Sequence, residues 1–217
     1  MITTAELVKK VRRLVNEAES DAAVSVVTAD YRSLDDCIVA LLPQAVSLVQ
    51  KMKSSTTEAV NVKILSPAVI GITDNGDGTG SMPLPNDYVG PVVVQLEGWR
   101  RPARFVDISS SEAARQCNEY TRAGCCKPVC IESVNAVGER VLLLCPLPAA
   151  PAKVKSFIYE ACFAAGDVSL NSSTPMANAV AYECAALLYN MFERYDAANS
   201  FMSLAAALCN AKSNERR

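Results

Sequence analysis

The sequence predicts an α+β protein in which N-terminal helices and a long C-terminal helix flank a small antiparallel β sandwich or barrel. Three observations carry that expectation. Apolar residues recur at helical spacing at both ends of the 217-residue chain. Residues 60–165 alternate instead at strand spacing and are cut by turn signals. From 176 to 213 a seven-residue apolar repeat runs on without Gly or Pro. Residues 1–57 and 174–217 are therefore read as one helical domain. Residues 58–165 form an inserted β module, and 166–173 a linker.

The first helix is expected from Thr4 to Glu19. Thr3 and Glu6 have capping-box spacing, and Leu7, Val8, Val11, Leu14, Val15 and Ala18 make its apolar stripe. Lys9, Lys10, Arg12 and Arg13 sit opposite, as a solvated face. A second helix starts near Ser33. Its stripe runs from Leu34 to Met52, and Pro43 should kink or split it, because proline lacks a backbone donor and crowds the preceding turn. Val60, Val62 and Ile64 then open the β module. Asp74-Asn75-Gly76-Asp77-Gly78-Thr79-Gly80 reads as a hairpin loop. Its carboxylates do not fall at EF-hand positions, and no lysine and helix follow as a phosphate loop requires.

Val89–Leu96 is a strand, Gly98–Pro102 a turn, and 103–108 the partner strand. Ser110–Tyr120 reads as a short helix. Pro128–Val134 and Val141–Cys145 form a hairpin about 135–138, and Phe157 to Phe163 alternate in a last strand. Thr174-Pro175 opens the final helix with a cap and a proline at its first turn. If unbroken from 176 to 213, that helix is about 57 Å long at 1.5 Å per residue. The alternative is an αα-hairpin broken near Asp196–Ser200. The heptad positions are Ala177, Cys184, Met191, Ala198 and Ala205, then Ala181, Leu188, Tyr195, Met202 and Cys209. Such a face can pack on the chain's own helices, on another subunit, or on both.

Composition narrows the function. Net charge is −2, so no large basic field draws the chain to nucleic acid or anionic lipid. No apolar run reaches the roughly 18 residues of a membrane span, and the N-terminus enters a helix without a signal-peptide core. There is no histidine, which removes Ser-His and Cys-His pairs and every His-bearing metal site. The nine cysteines lack any C-x-x-C. Cys126/Cys130 has zinc-pair spacing but no separate second pair completes a site, so reduced cysteines used as small hydrophobes are the better account. Glu97, Asp107, Glu112, Glu132 and Glu160 show no acid/base pairing, and Cys125-Cys126-Lys127 lacks a base. No catalytic, cofactor or metal residues are assigned. The interface candidates are Trp99, Arg100, Arg101, Leu188, Met191, Tyr195, Met202, Arg216 and Arg217. Trp99 reads equally well as a docking anchor or as core packing with its arginines in solvent.

Leu84-Pro85-Asn86-Asp87-Tyr88, Leu96-Glu97-Gly98-Trp99-Arg100-Arg101-Pro102 and Lys127-Pro128-Val129 resemble neck proteins of tailed bacteriophages. They look closest to the head-to-tail connector, or ring, proteins of crAss-like and other Bacteroides phages. The order of parts agrees over nearly the whole chain. The resemblance implies a structural virion protein with no enzymatic activity and no cofactor. Twelve copies would form a ring between portal and tail, with the genome passing through its axial channel and a terminal segment docked on the portal. It would be assembled in the cytoplasm of the host bacterium. The 175–213 helix and the tail to Arg217 are the docking candidates by analogy. The alternative is a cytosolic adaptor binding one partner through its C-terminal helical face.

Overall fold

The computed structural model describes residues 1–17, 34–53, 58–66, 71–148 and 151–210. Along the chain run β1 (Ile2–Thr3), α1 (Thr4–Glu17), α2 (Leu34–Met52), β2 (Val62–Ile64), β3 (Thr73–Asp74), β4 (Gly80–Pro83), β5 (Tyr88–Leu96), β6 (Arg104–Val106), α3 (Ser111–Gln116), β7 (Val129–Val134), β8 (Arg140–Cys145), β9 (Val154–Ala161), β10 (Ser169–Leu170), α4 (Thr174–Met191) and α5 (Tyr195–Asn210). The chain is α+β. It divides into a helical unit, Met1–Val62 with Ala161–Arg217, and a β unit, Lys63–Glu160.

The helical unit is built around α4. The capping box at α1 forms reciprocally: the Thr3 backbone N–H donates to Glu6, and the Glu6 N–H donates to the Thr3 hydroxyl at 3.2 Å. Leu7, Val11 and Val15 of α1, and Ile38, Leu42, Val46 and Val49 of α2, are buried in the core that holds α4. Pro43 lies inside α2, which stays one helix. The proline therefore does not split it. Alanines 177, 179, 181, 185 and 186 leave α4 buried on most of its circumference, so small side chains let α1, α2 and α5 all approach it. Tyr189 donates to the Val15 carbonyl at 3.0 Å and stacks on Phe201 at 5.6 Å.

The single C-terminal helix is not formed. The chain breaks at Phe192–Arg194, with Glu193 in the left-handed region at φ 58°. The Arg194 N–H caps the Tyr189 carbonyl at 2.9 Å, and α5 packs back on α4. The hairpin alternative holds, with its break a few residues earlier than Asp196. Nor are residues 166–173 a plain linker. β10 pairs antiparallel with β1, and Leu170 lies in the helical core. Asn61 closes this unit. It is buried at φ 56°, and its side-chain amide donates to the Ala161 and Cys162 carbonyls, each at 3.0 Å. Gln50 also donates to the Ala161 carbonyl at 3.0 Å.

In the β unit a three-stranded sheet has the order β2-β9-β5 and a five-stranded sheet the order β3-β4-β8-β7-β6. The described strands close no barrel. The module is not wholly antiparallel, since β6 runs parallel to β7. The register Cys130↔Leu144, Glu132↔Leu142 and Met82↔Leu142 sets one apolar face. The Tyr88 hydroxyl of β5 reaches Glu132 on that face at 2.7 Å. The opposite face carries Val129, Ile131 and Leu143, which pack under Ala113 of α3. Ser110 caps α3 by accepting from the Ala113 N–H at 3.1 Å.

Candidate interaction surfaces

The three stretches that carry the family resemblance lie at joints of the β unit. Tyr88 closes the 85–88 turn by donating its N–H to the Pro85 carbonyl. Asp87 takes the Lys63 ammonium at 2.8 Å and the Tyr159 hydroxyl at 3.0 Å. Burial pushes the Asp87 carboxyl up, but those two bonds hold it below the usual carboxylate range. Beside it, Glu132 binds the Tyr88 hydroxyl and Arg140, whose guanidinium lies 5.3 Å over the Tyr88 ring. Burial first, then the contact with Asp87, pushes the Tyr159 phenol up to about 12. These groups are mutually satisfied and form a clamp between strands.

Trp99 belongs to the packing reading. It is 4% exposed, and its indole N–H donates to the Pro146 carbonyl at 3.0 Å. Gly98 makes the turn possible at φ 90°, where a Cβ would sit 3.0 Å from Pro148. Arg100 and Arg101 are exposed. The Arg100 N–H donates to the Cys125 carbonyl at 3.0 Å, and the Arg101 side chain donates to the Cys126 carbonyl. The Lys127 N–H closes the neighbouring turn on Gly124. The 96–102 turn and the 124–127 turn thus brace one another and present three cations.

The α4–α5 corner divides the heptad candidates. Leu188 is buried in the helical core and is unavailable to a partner, because the reversal at Glu193 folds α5 back beside it. Met191 (60% exposed) and Tyr195 (61%) stand outside that packing, and Met202 is partly exposed too. Phe192 and Leu204, which periodicity did not single out, join them as exposed apolar residues. Their signal was hidden because a uniform seven-residue register assigns both to other faces. Arg216 and Arg217 lie outside the described residues.

The remaining chemical candidates resolve into structural roles. Asp74 and Asp77 accept from the N–H groups of Gly76 and Thr79, which is turn chemistry. An open cleft of about 520 Å³ beside this hairpin is lined by Asp77, Glu119, Arg122 and Cys125. Arg122 is tied there to the Asp77 and Gln116 carbonyls. Glu112 pairs with Arg104, and Asp107 accepts from Ser109. Burial pushes the Cys145 thiol up to about 11 and that of Cys184 up to about 12. Thiols so raised hold little thiolate at neutral pH. The described residues include no group of three or more Cys, Asp or Glu placed to hold a metal ion, and no described helix is long and apolar enough to cross a membrane.

No protein-family model matches this chain, and no curated protein matches it. The family resemblance therefore rests on the three stretches above and on the order of parts.

Proposed function

We propose that the chain is a head-to-tail connector of a tailed bacteriophage. Copies assemble, by analogy as a ring of twelve, between the portal and other neck or tail proteins, and the genome passes through the axial channel. The protein would reside in the virion neck after assembly in the bacterial cytoplasm. It performs no reaction; its mechanism is assembly. The carrying observation is the insertion of a β unit, with the motif stretches at its joints, into a helical unit made from both chain ends. The exposed apolar corner at Met191, Phe192 and Tyr195 supports the reading, since burying such residues between copies is favourable by about 1.5–3 kcal/mol for each fully covered large side chain.

The test is solution mass, by native mass spectrometry, of the chain alone and mixed with the portal protein encoded in the same genome. A ring formed alone or on the portal is expected, and M191S/F192S/Y195S should weaken it. Failure to bind the portal, together with a metabolic gene neighbourhood, would remove the neck reading. Binding of a single non-virion partner through the same corner would favour the adaptor alternative.

A further inference from the structure

We infer that α5 is a pH-sensitive cover on α4, docked while the buried Glu183 carboxyl is neutral and released when that carboxyl ionises. Of the helices packed on α4, α5 is held by the smallest buried side chains. α1 buries Leu7, Val11 and Val15, and α2 buries Ile38, Leu42, Val46 and Val49. α5 buries only Ala198, Ala205 and Cys209, with Phe201 and Leu208 partly covered. Phe201 is its main anchor, stacked on Tyr182 at 6.1 Å and on Tyr189 at 5.6 Å. Residues 197–210 contain no Asp, Glu, Lys or Arg, so no ion pair reinforces those contacts. Just before α5 the chain reverses through Glu193, a non-glycine residue at φ 58°. That backbone costs free energy, which the docked arrangement has to offset. Elements with few buried apolar contacts are the ones that open locally.

Glu183 lies in the seam that α5 covers. It is 2% exposed, and its Oε2 has no hydrogen-bond partner. Two thiols feel its charge: Cys184 beside it on α4 and Cys209 on α5, each raised by burial first and by Glu183 second. No cation of the other packed helices bonds that oxygen. On α1, Lys10 is taken by Asn178 and Arg12 by Asp35, while Lys9 and Arg13 are exposed. On α2, Lys51 sits in the last turn, whereas Cys184 meets the Ile38 carbonyl near the first. That first turn brings Asp35 and Asp36, whose sign is the same as that of an ionised Glu183. α5 adds only Asp196 and Tyr195 at its start, besides Cys209. An ionised carboxyl with a bare oxygen in an apolar seam is costly until water reaches it. Water reaches it when a covering helix moves, and α5 is the cover most weakly held. Burial raises the Glu183 pKa above its ordinary 4.5. The docked form is therefore fully favoured below that ordinary value and loses stability as pH climbs through the raised one.

The test is hydrogen–deuterium exchange of the intact chain from about pH 5 to 8.5, resolved by peptide and corrected for intrinsic rates. Protection of α5 should fall by about tenfold or more over that range, while that of α2 stays level. E183Q should keep α5 protected at every pH. C209A should retain the wild-type fall, which separates the carboxyl from the thiol as its cause. E193G should add protection at every pH and leave the pH dependence in place, because it relaxes the reversal without touching the carboxyl. Opening of α5 and α2 together, α5 protection that does not change with pH, or a fall that persists in E183Q would each overturn the assignment. The measurement needs no ring or portal, so its failure is separate from failure of the connector reading.

Discussion

Asn61 gives the sharpest test of how the helical unit is closed. Its side-chain amide donates to two carbonyls at 3.0 Å each, and its backbone sits at φ 56°. Asn61→Gly keeps the left-handed backbone and removes both bonds. At about 1 kcal/mol net per bond the loss is about 2 kcal/mol. Asn61→Ala removes the same bonds and adds the Cβ clash of that backbone region, about 1 kcal/mol more, for about 3 kcal/mol. Asn61→Asp preserves shape but turns an acceptor toward the Ala161 and Cys162 carbonyls. It should be the most damaging at neutral pH and partly recover in acid, where the protonated carboxyl regains one donor. At roughly 2–4 °C per kcal/mol for a chain of this size, the glycine and alanine variants should lower Tm by about 4–8 °C and about 6–12 °C. Circular dichroism at 222 nm follows the helical unit, and Trp99 emission follows the β unit. Equal midpoints for glycine and alanine would refute the backbone part of the reasoning. An aspartate variant as stable as wild type would refute the donor part.

Other outcomes follow from the same geometry. Glu183 is 2% exposed, and its Oε2 has no hydrogen-bond partner. Burial raises its pKa above the ordinary value of 4.5. A carboxyl raised in the folded state costs stability as pH climbs from the unfolded pKa through the folded one. Glu183→Gln should therefore raise the urea midpoint at pH 7 and abolish that loss. Asp87 has the opposite sign. Its folded pKa is lowered, so its contribution is present above about pH 4 and is lost as pH falls through the folded pKa. Asp87→Asn should flatten that acid limb in urea midpoints taken from pH 5 to 2. Glu193→Gly should stabilise the helical unit by roughly 0.5–1 kcal/mol, since glycine adopts the φ 58° backbone without penalty. Leu42→Ala, at a fully buried site, should cost about 2–5 kcal/mol in the same denaturation assay.

Much of the architecture is legible in the order of residues because its signals are local. Helical spacing in α1 and α2, the Thr3/Glu6 box, the Ser110 cap and the Asp74–Gly80 turn each depend on side chains within a few positions of one another. The reversal after α4 is of another kind. No Gly or Pro marks Glu193, and a seven-residue apolar repeat is equally consistent with one long helix or with two that share a core. What decides is tertiary: alanine-rich α4 is narrow enough to be surrounded, and folding α5 back buries Ala198, Ala205 and Cys209. That choice takes Leu188 out of reach and brings Phe192 to the surface. Likewise, a strand-like alternation around Val60 and Val62 does not reveal that Asn61 turns inward to a partner a hundred residues away. Composition also restricted the chemistry directly, since a chain without histidine lacks imidazole acid/base and ligand groups wherever it folds. Which cations find a carboxylate is a different matter. Pairing depends on distances that sequence order does not print, so only the folded β unit shows that Arg104, Arg122 and Arg140 meet Glu112, Asp77 and Glu132.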